Sequence, residues 1–184
     1  MRKLACFLIC TLCFCIAFSQ PILVTNNTIS KPLAQLMQAY HSGFSGLKGE
    51  VIDVGTQSKG YACSVKLVNA EEGVITRFDE GEDSLFTWAN KLFAEDNFTK
   101  AKLSFKKFYT EVKGTKFTVD NKLISLKADY TEPDENVGLA SIIFYPDPEV
   151  ESLKNVVVDL TLSYVNEEWE ISLSIYDNTM ESGE

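Results

Sequence analysis

Catalytic side chains are scarce in this chain: its 184 residues hold one histidine, His41, and five cysteines, of which Cys6, Cys10, Cys13 and Cys15 crowd the amino terminus. That end reads as an export signal. Arg2 and Lys3 form a basic start, an apolar run follows from Leu4 to Phe18, and Ala17 and Ser19 supply the small residues of a cleavage site after Ser19. The run is shorter than the roughly twenty residues a membrane-spanning helix needs, and polar Gln20, Thr25, Asn26 and Asn27 follow it, so no retained anchor is expected. Cys15 follows Phe14 and Cys10 follows Ile9, which lacks the small residue that precedes a lipidated cysteine. The exported chain would enter an oxidising compartment with Cys63 as its one thiol, which excludes a disulfide framework.

Other absences narrow the chemistry further. One His and one Cys do not make a zinc site, and no glycine-rich phosphate loop, nucleophile elbow or dinucleotide fingerprint occurs. Basic charge is short too. The net charge is −9, and removal of Arg2 and Lys3 with the signal takes it to −11. Such a field repels nucleic acid and anionic membrane surfaces and favours cationic partners or plain solubility.

Removing 19 of 184 residues leaves 165, enough for one domain with a sizeable core. Twelve Phe and seven Tyr argue for a folded chain. The expected organisation is a signal peptide over 1–19, a flexible leader over 20–29 and a single domain over 30–184. Ser30 is placed to cap a first helix, with Pro32 in its opening turn and Leu33, Leu36, Met37 and Tyr40 at helical spacing up to about Ser42. From Val51 the period becomes two. Tyr61, Cys63, Val65 and Leu67 share one strand face, Val74 to Phe78 returns after a turn over Asn69 to Gly73, and Leu85 to Leu92 follows the acidic turn Asp79 to Asp83.

A second helix is marked by Phe98, Ala101, Phe105, Phe108 and Val112 on one stripe, with Glu95 and Asp96 before it and Lys113 and Gly114 at its end. Three or four strands should follow: Phe117 to Tyr130, a turn-rich loop, Gly138 to Tyr145 broken by Pro146-Asp147-Pro148, and a hairpin. In that hairpin Val156, Val158, Leu160, Leu162 and Tyr164 face one way, then Trp169, Ile171, Leu173 and Ile175 return after Asn166-Glu167-Glu168. The fold class is therefore α+β, an antiparallel sheet of six to seven strands packed against two helices in the order α-β-β-β-α-β-β-β(-β).

Phe44-Ser45-Gly46-Leu47-Lys48-Gly49-Glu50, Gln57-Ser58-Lys59-Gly60-Tyr61, Ala70-Glu71-Glu72-Gly73-Val74-Ile75-Thr76, and Glu168-Trp169-Glu170 leading to Ser174-Ile175-Tyr176-Asp177 resemble small uncharacterised exported proteins of Bacteroidota. The ending Phe18-Ser19-Gln20 is similar to signal peptides of that group. This resemblance implies a small α+β domain similar to the type III secretion chaperone-like fold, with a periplasmic or extracellular location and no catalytic residues to carry over. A chaperone-like shape implies a polypeptide partner, although fold alone does not fix function.

The residues themselves offer few sites. Cys63 and His41 would make a nucleophilic pair, but strand phase turns Cys63 to the core and His41 sits at a helix end. The acidic turns Asp79, Glu80, Glu82, Asp83 and Asp147, Glu149, Glu151 lack the alternating pattern of a calcium loop. Sequons at Asn26 and Asn97 would be glycan acceptors in a eukaryotic host. Two surfaces remain as candidate interaction sites. One is the lysine side of the second helix, with Lys102, Lys106 and Lys113; the other is the polar sheet face, with Thr161, Ser163, Ser172, Ser174 and Tyr176. The expectation is a non-enzymatic binding or chaperone-like domain without cofactor or metal that holds a protein or peptide, the alternatives being a glycan-directed hydrolase using paired carboxylates or a structural component of an envelope assembly.

Overall fold

A computed structural model of the protein describes residues 29–67, 70–80 and 83–179. The expected signal peptide, residues 20–28 of the leader, and Asn69, Gly81 and Glu82 of the two turns lie outside the described residues. Helix α1, Ser30–Tyr40, forms where Leu33, Leu36 and Met37 recur at three- and four-residue spacing, and it buries all three. Its capping differs from the expectation for Ser30. Ile29 is the cap residue and offers no side-chain acceptor, while Ser30 lies inside the helix and donates its hydroxyl to the Glu111 carbonyl at 2.9 Å. The capping role passes to the Glu111 carboxylate, which accepts the Ile29 N–H at 3.3 Å and places a negative charge at the positive end of the helix.

The strands are β1 (Lys48–Val54), β2 (Ser58–Cys63), β3 (Val74–Glu80), β4 (Asp83–Glu95), β5 (Lys116–Val119), β6 (Lys122–Lys127), β7 (Leu139–Asp147), β8 (Val156–Val165) and β9 (Glu168–Asp177), with helix α2 (Phe98–Lys113) after β4. All pairings are antiparallel in one sheet of order β1-β2-β3-β4-β9-β8-β7-β6-β5. Nine strands replace the expected six to seven, and each difference has a local cause. Asp120 and Asn121 both take positive φ, so the segment expected as one strand from Phe117 to Tyr130 folds back as the β5–β6 hairpin. The first strand region folds back at Gly55-Thr56-Gln57, where the Gly55 N–H donates to the Ser58 carbonyl at 2.8 Å, giving four strands before α2 where three were expected. Strand β2 stops at Cys63 instead of Leu67, and one more main-chain bond, from the Ser64 N–H to the Leu47 carbonyl at 2.9 Å, follows before the chain leaves the ladder. Pro146 lies within β7 instead of ending it, opposite Leu126 near the short outer strands where a missing N–H is tolerated.

Alternation in the register decides which side is core. Trp88 stands opposite Ile175, Leu160 opposite Leu173, Leu162 opposite Ile171 and Ile142 opposite Leu160, all buried on one face. Against this face α2 buries Ala101, Phe105 and Val112 while lying over β4, β6, β8 and β9. Burying one such Phe or Val side chain contributes about 1.5–3 kcal/mol, so the stripe suffices to hold the helix on the sheet. The two outer strands are finished differently. Helix α1 packs on β5 and Gln38 donates its side-chain amide to the Thr118 carbonyl at 3.3 Å, whereas β1 is open, with two bulges and exposed Val51, Ile52 and Val54.

Candidate functional site

The five sheet residues singled out from the sequence come together on the side away from α2. Thr161 stands opposite Ser172, Ser163 opposite Glu170, Asp159 opposite Ser174 and Val157 opposite Tyr176, which follows from the two-residue alternation of β8 and β9. The hydroxyl surface extends past them, to Ser141 on β7 and to the Thr76 and Thr87 pair on β3 and β4. Ser141 donates to Asp159 at 2.6 Å, while Lys91 binds Glu71 at 2.7 Å and Glu170 at 3.6 Å. The Glu71 hydrogen bond, helped by the Glu170 charge, holds the Lys91 ammonium above its usual pKa. Leu139 and Tyr145 stand exposed on the same face along β7, and a hollow of about 520 Å3 opens beside Tyr145 between Lys113, Lys127 and Asp129. Uncharged hydroxyls flanked by exposed apolar groups suit a surface that accepts another chain through hydrogen bonds and contact area.

The three lysines lie elsewhere and are engaged. Lys102 binds Glu132 at 2.6 Å, Lys106 lies 5.7 Å from the Tyr130 ring, and Lys113 donates to Tyr109 Oη at 2.9 Å and to the Ala128 carbonyl at 3.2 Å. Tyr109 itself donates to Ala128 at 3.0 Å and packs on Tyr130. The Lys102 hydrogen bond lowers the Glu132 pKa, and the same contact raises that of Lys102. This row of lysines reaches toward the segment 128–132, with Lys106 and Lys113 exposed to solvent.

A groove that sequence reasoning missed lies at the amino-terminal end of α2. Asn97 caps the helix by accepting the Lys100 N–H at 3.1 Å, and Phe98 then leans on Trp169 with ring centroids 4.8 Å apart. Tyr164, directly across the β8–β9 hairpin, packs on Trp169 at 5.1 Å. Trp169 is 5% exposed and Tyr164 52%, so the stack ends in an open ring. Asp96, Glu135, Asn136, Val137 and Gly138 complete a hollow of about 310 Å3. Asp134 shapes its wall by accepting both the main-chain N–H and the side-chain amide of Asn136, and Gly138, at φ +71°, accepts the Tyr164 N–H at 2.9 Å. A hydrogen bond shared with Glu95, assisted by the Lys100 charge, holds the Asp96 carboxyl below its usual pKa. The cross-hairpin Tyr164 and Trp169 pair was the one signal of this groove available in the sequence.

Cys63 is 1% exposed, and burial pushes its thiol pKa up, which disfavours the reactive thiolate. His41 is exposed at the end of α1, beside Tyr40, Gly43, Ser84, Phe86 and Ser152. Labelling of Cys63 by a thiol reagent at neutral pH is expected to be slow in the native protein and fast in urea; rapid native labelling would show the side chain to be accessible. Among the described residues no group of three or more His, Cys, Asp and Glu side chains is placed to hold a metal ion, and no helix is long and apolar enough to cross a membrane. No family model, curated protein or solved structure matches the chain.

Proposed function

We propose that the chain is an exported, non-enzymatic binding domain of chaperone-like character that holds a polypeptide partner against the open face of its sheet. The observation that carries this reading is the difference between the two faces. One is closed by α2 over a continuous apolar core, and the other presents the Thr161 and Ser172 pair with Ser163 and Ser174 beside it, opposite Glu170 and Asp159, bordered by Leu139 and Tyr145. A face of this kind receives an extended or irregular segment with little reorganisation, because its hydroxyls both donate and accept.

The double variant Thr161→Arg, Ser172→Arg puts two like charges directly opposite each other on that face. Both positions are half-buried on the solvent side, so the melting temperature should fall by only a few degrees while capture of a partner from extract of the native host falls at least about tenfold. Equal capture by the variant and the parent chain, or no partner above background with either, would sink the proposal.

The hydrolase alternative would draw on Asp96 and Glu135, the carboxylates that line the groove. A two-carboxylate glycosidase needs a proton donor whose pKa is raised. The Asp96, Glu132 and Asp134 carboxyls are all held below their usual pKa, chiefly by hydrogen bonds to Glu95, to Lys102 and to the Asn136 main chain respectively. That direction suits hydrogen-bond acceptors at these three positions, not the proton donor of such an enzyme.

A further inference from the structure

We infer that the groove beside Tyr164 and Trp169 is a recognition site for a cationic side chain, an arginine guanidinium or lysine ammonium presented by the polypeptide partner. This inference rests on the binding-domain reading above and gives that partner a chemistry. Three features of the groove converge. The first is the ring stack: Phe98 supports Trp169, Trp169 supports one side of Tyr164, and the remainder of the Tyr164 ring is open. An aromatic face held rigid from behind attracts a cation placed within about 6 Å of its centre.

The second feature is the sign of the lining. The charged residues of the groove, Asp96 and Glu135, are both acidic. Three other hollows carry carboxylates, and each also carries a lysine: Lys113 and Lys127 with Asp129, Lys91 with Glu71 and Glu168, and Lys66 with Glu50 and Glu72. The neighbouring lysines are spent outside the groove, Lys100 on Glu95 at 3.4 Å and Lys102 on Glu132. Glu135 has no ion pair among the described residues, and Asp96 shares a hydrogen bond with Glu95 within reach of the Lys100 charge. A cation entering the hollow therefore meets two carboxylates and a ring, and no lysine lines the hollow itself.

The third feature is size. About 310 Å3 admits a guanidinium or ammonium head with part of its stem, which also covers exposed Val137. The net charge of −9 acts in the same direction at longer range, drawing basic segments toward the molecule.

The test uses two capped peptides, acetyl-Gly-Arg-Gly-amide and acetyl-Gly-Gln-Gly-amide, titrated while the indole N–H resonances of the two tryptophans are followed by NMR. The Arg peptide is expected to shift Trp169 saturably and leave fully buried Trp88 in place, and the Gln peptide to shift neither. Tyr164→Ala should weaken the Arg peptide by about 2- to 30-fold, the range of a cation–π contact. Glu135→Gln, at an exposed loop position that does not threaten folding, should weaken it by about 1.5- to 5-fold, and added salt should weaken it further. An unmoved Trp169 signal, equal response to both peptides, or full affinity in both variants would overturn the proposal. Thr161 and Ser172 lie on the opposite side of the sheet, so failure here is separable from failure of the sheet-face reading.

Discussion

Replacement of Trp88 by alanine is expected to cost about 3–5 kcal/mol of folding stability, the largest effect of any single substitution considered for this chain. Trp88 is fully buried on β4, between Ile75 of β3 and Ile175 of β9, at a point where the sheet is closed by neighbours on both sides. The cavity left behind has little means of collapsing, because regular ladders fix the backbone around it. Its surroundings are already tight. A methyl group added at Gly73 would stand 2.7 Å from the indole nitrogen and 3.3 Å from the Asn90 amide, so that glycine is there for want of space. Among the described residues the indole N–H has no hydrogen-bonded acceptor of regular geometry, and its sulfur neighbour is Cys63. Trp88→Phe should therefore be much milder than Trp88→Ala, since it discards an unpaired donor together with part of the volume. Urea denaturation of both variants measures the difference, and a loss below about 1 kcal/mol for the alanine variant would contradict the packing described.

Gly43→Ala is the second large effect, expected at about 2–5 kcal/mol from two separable causes. Gly43 takes φ +60°, a conformation that costs other residues about 1–2 kcal/mol. An added Cβ would also lie 2.7 Å from the ring of Phe86, an overpacking that typically costs about 1–3 kcal/mol. Lys48 sits 4.7 Å over that ring from the other strand and limits its retreat. Combining Gly43→Ala with Phe86→Leu should recover the steric part and leave the backbone part, which a double-mutant cycle reads directly. An additive cycle would mean that the ring moves freely and that only the backbone term is real.

Legibility in the sequence followed the range of the interactions involved. The β8–β9 hairpin and the α2 stripe were plain, because alternation from Val156 to Ile175 and the spacing of Phe98, Ala101, Phe105 and Val112 are set by neighbours along the chain. The hydroxyl face came with them, since Thr161 and Ser172 must point away from Leu160 and Leu173. Asp120-Asn121 was harder: no glycine marks it, yet both residues adopt positive φ and make a hairpin. Contacts between distant segments left no trace. The lysines of α2 read equally as a solvated helix face or a candidate surface, with no sign of their contacts to Ala128, Tyr130 and Glu132, and Glu111 hid among apolar neighbours while serving a helix more than eighty residues earlier. The Tyr164 groove needs four separate segments, of which only the hairpin pair was visible.

The sheet order has a consequence for the birth of the molecule. Strand β9 is the last of the nine to leave the ribosome, yet it lies between β4 and β8 at the heart of the sheet. Before it arrives, β1–β4 and β5–β8 are two half-sheets without a common seam, each exposing the apolar rows that Ile171, Leu173 and Ile175 will cover. Such long-range closure is intrinsically slow, and the chain cannot commit to its final form while it is still being made. Under the export reading proposed above, a chain threaded unfolded through a narrow channel would benefit from that delay, its own topology postponing folding until the closing strand has passed.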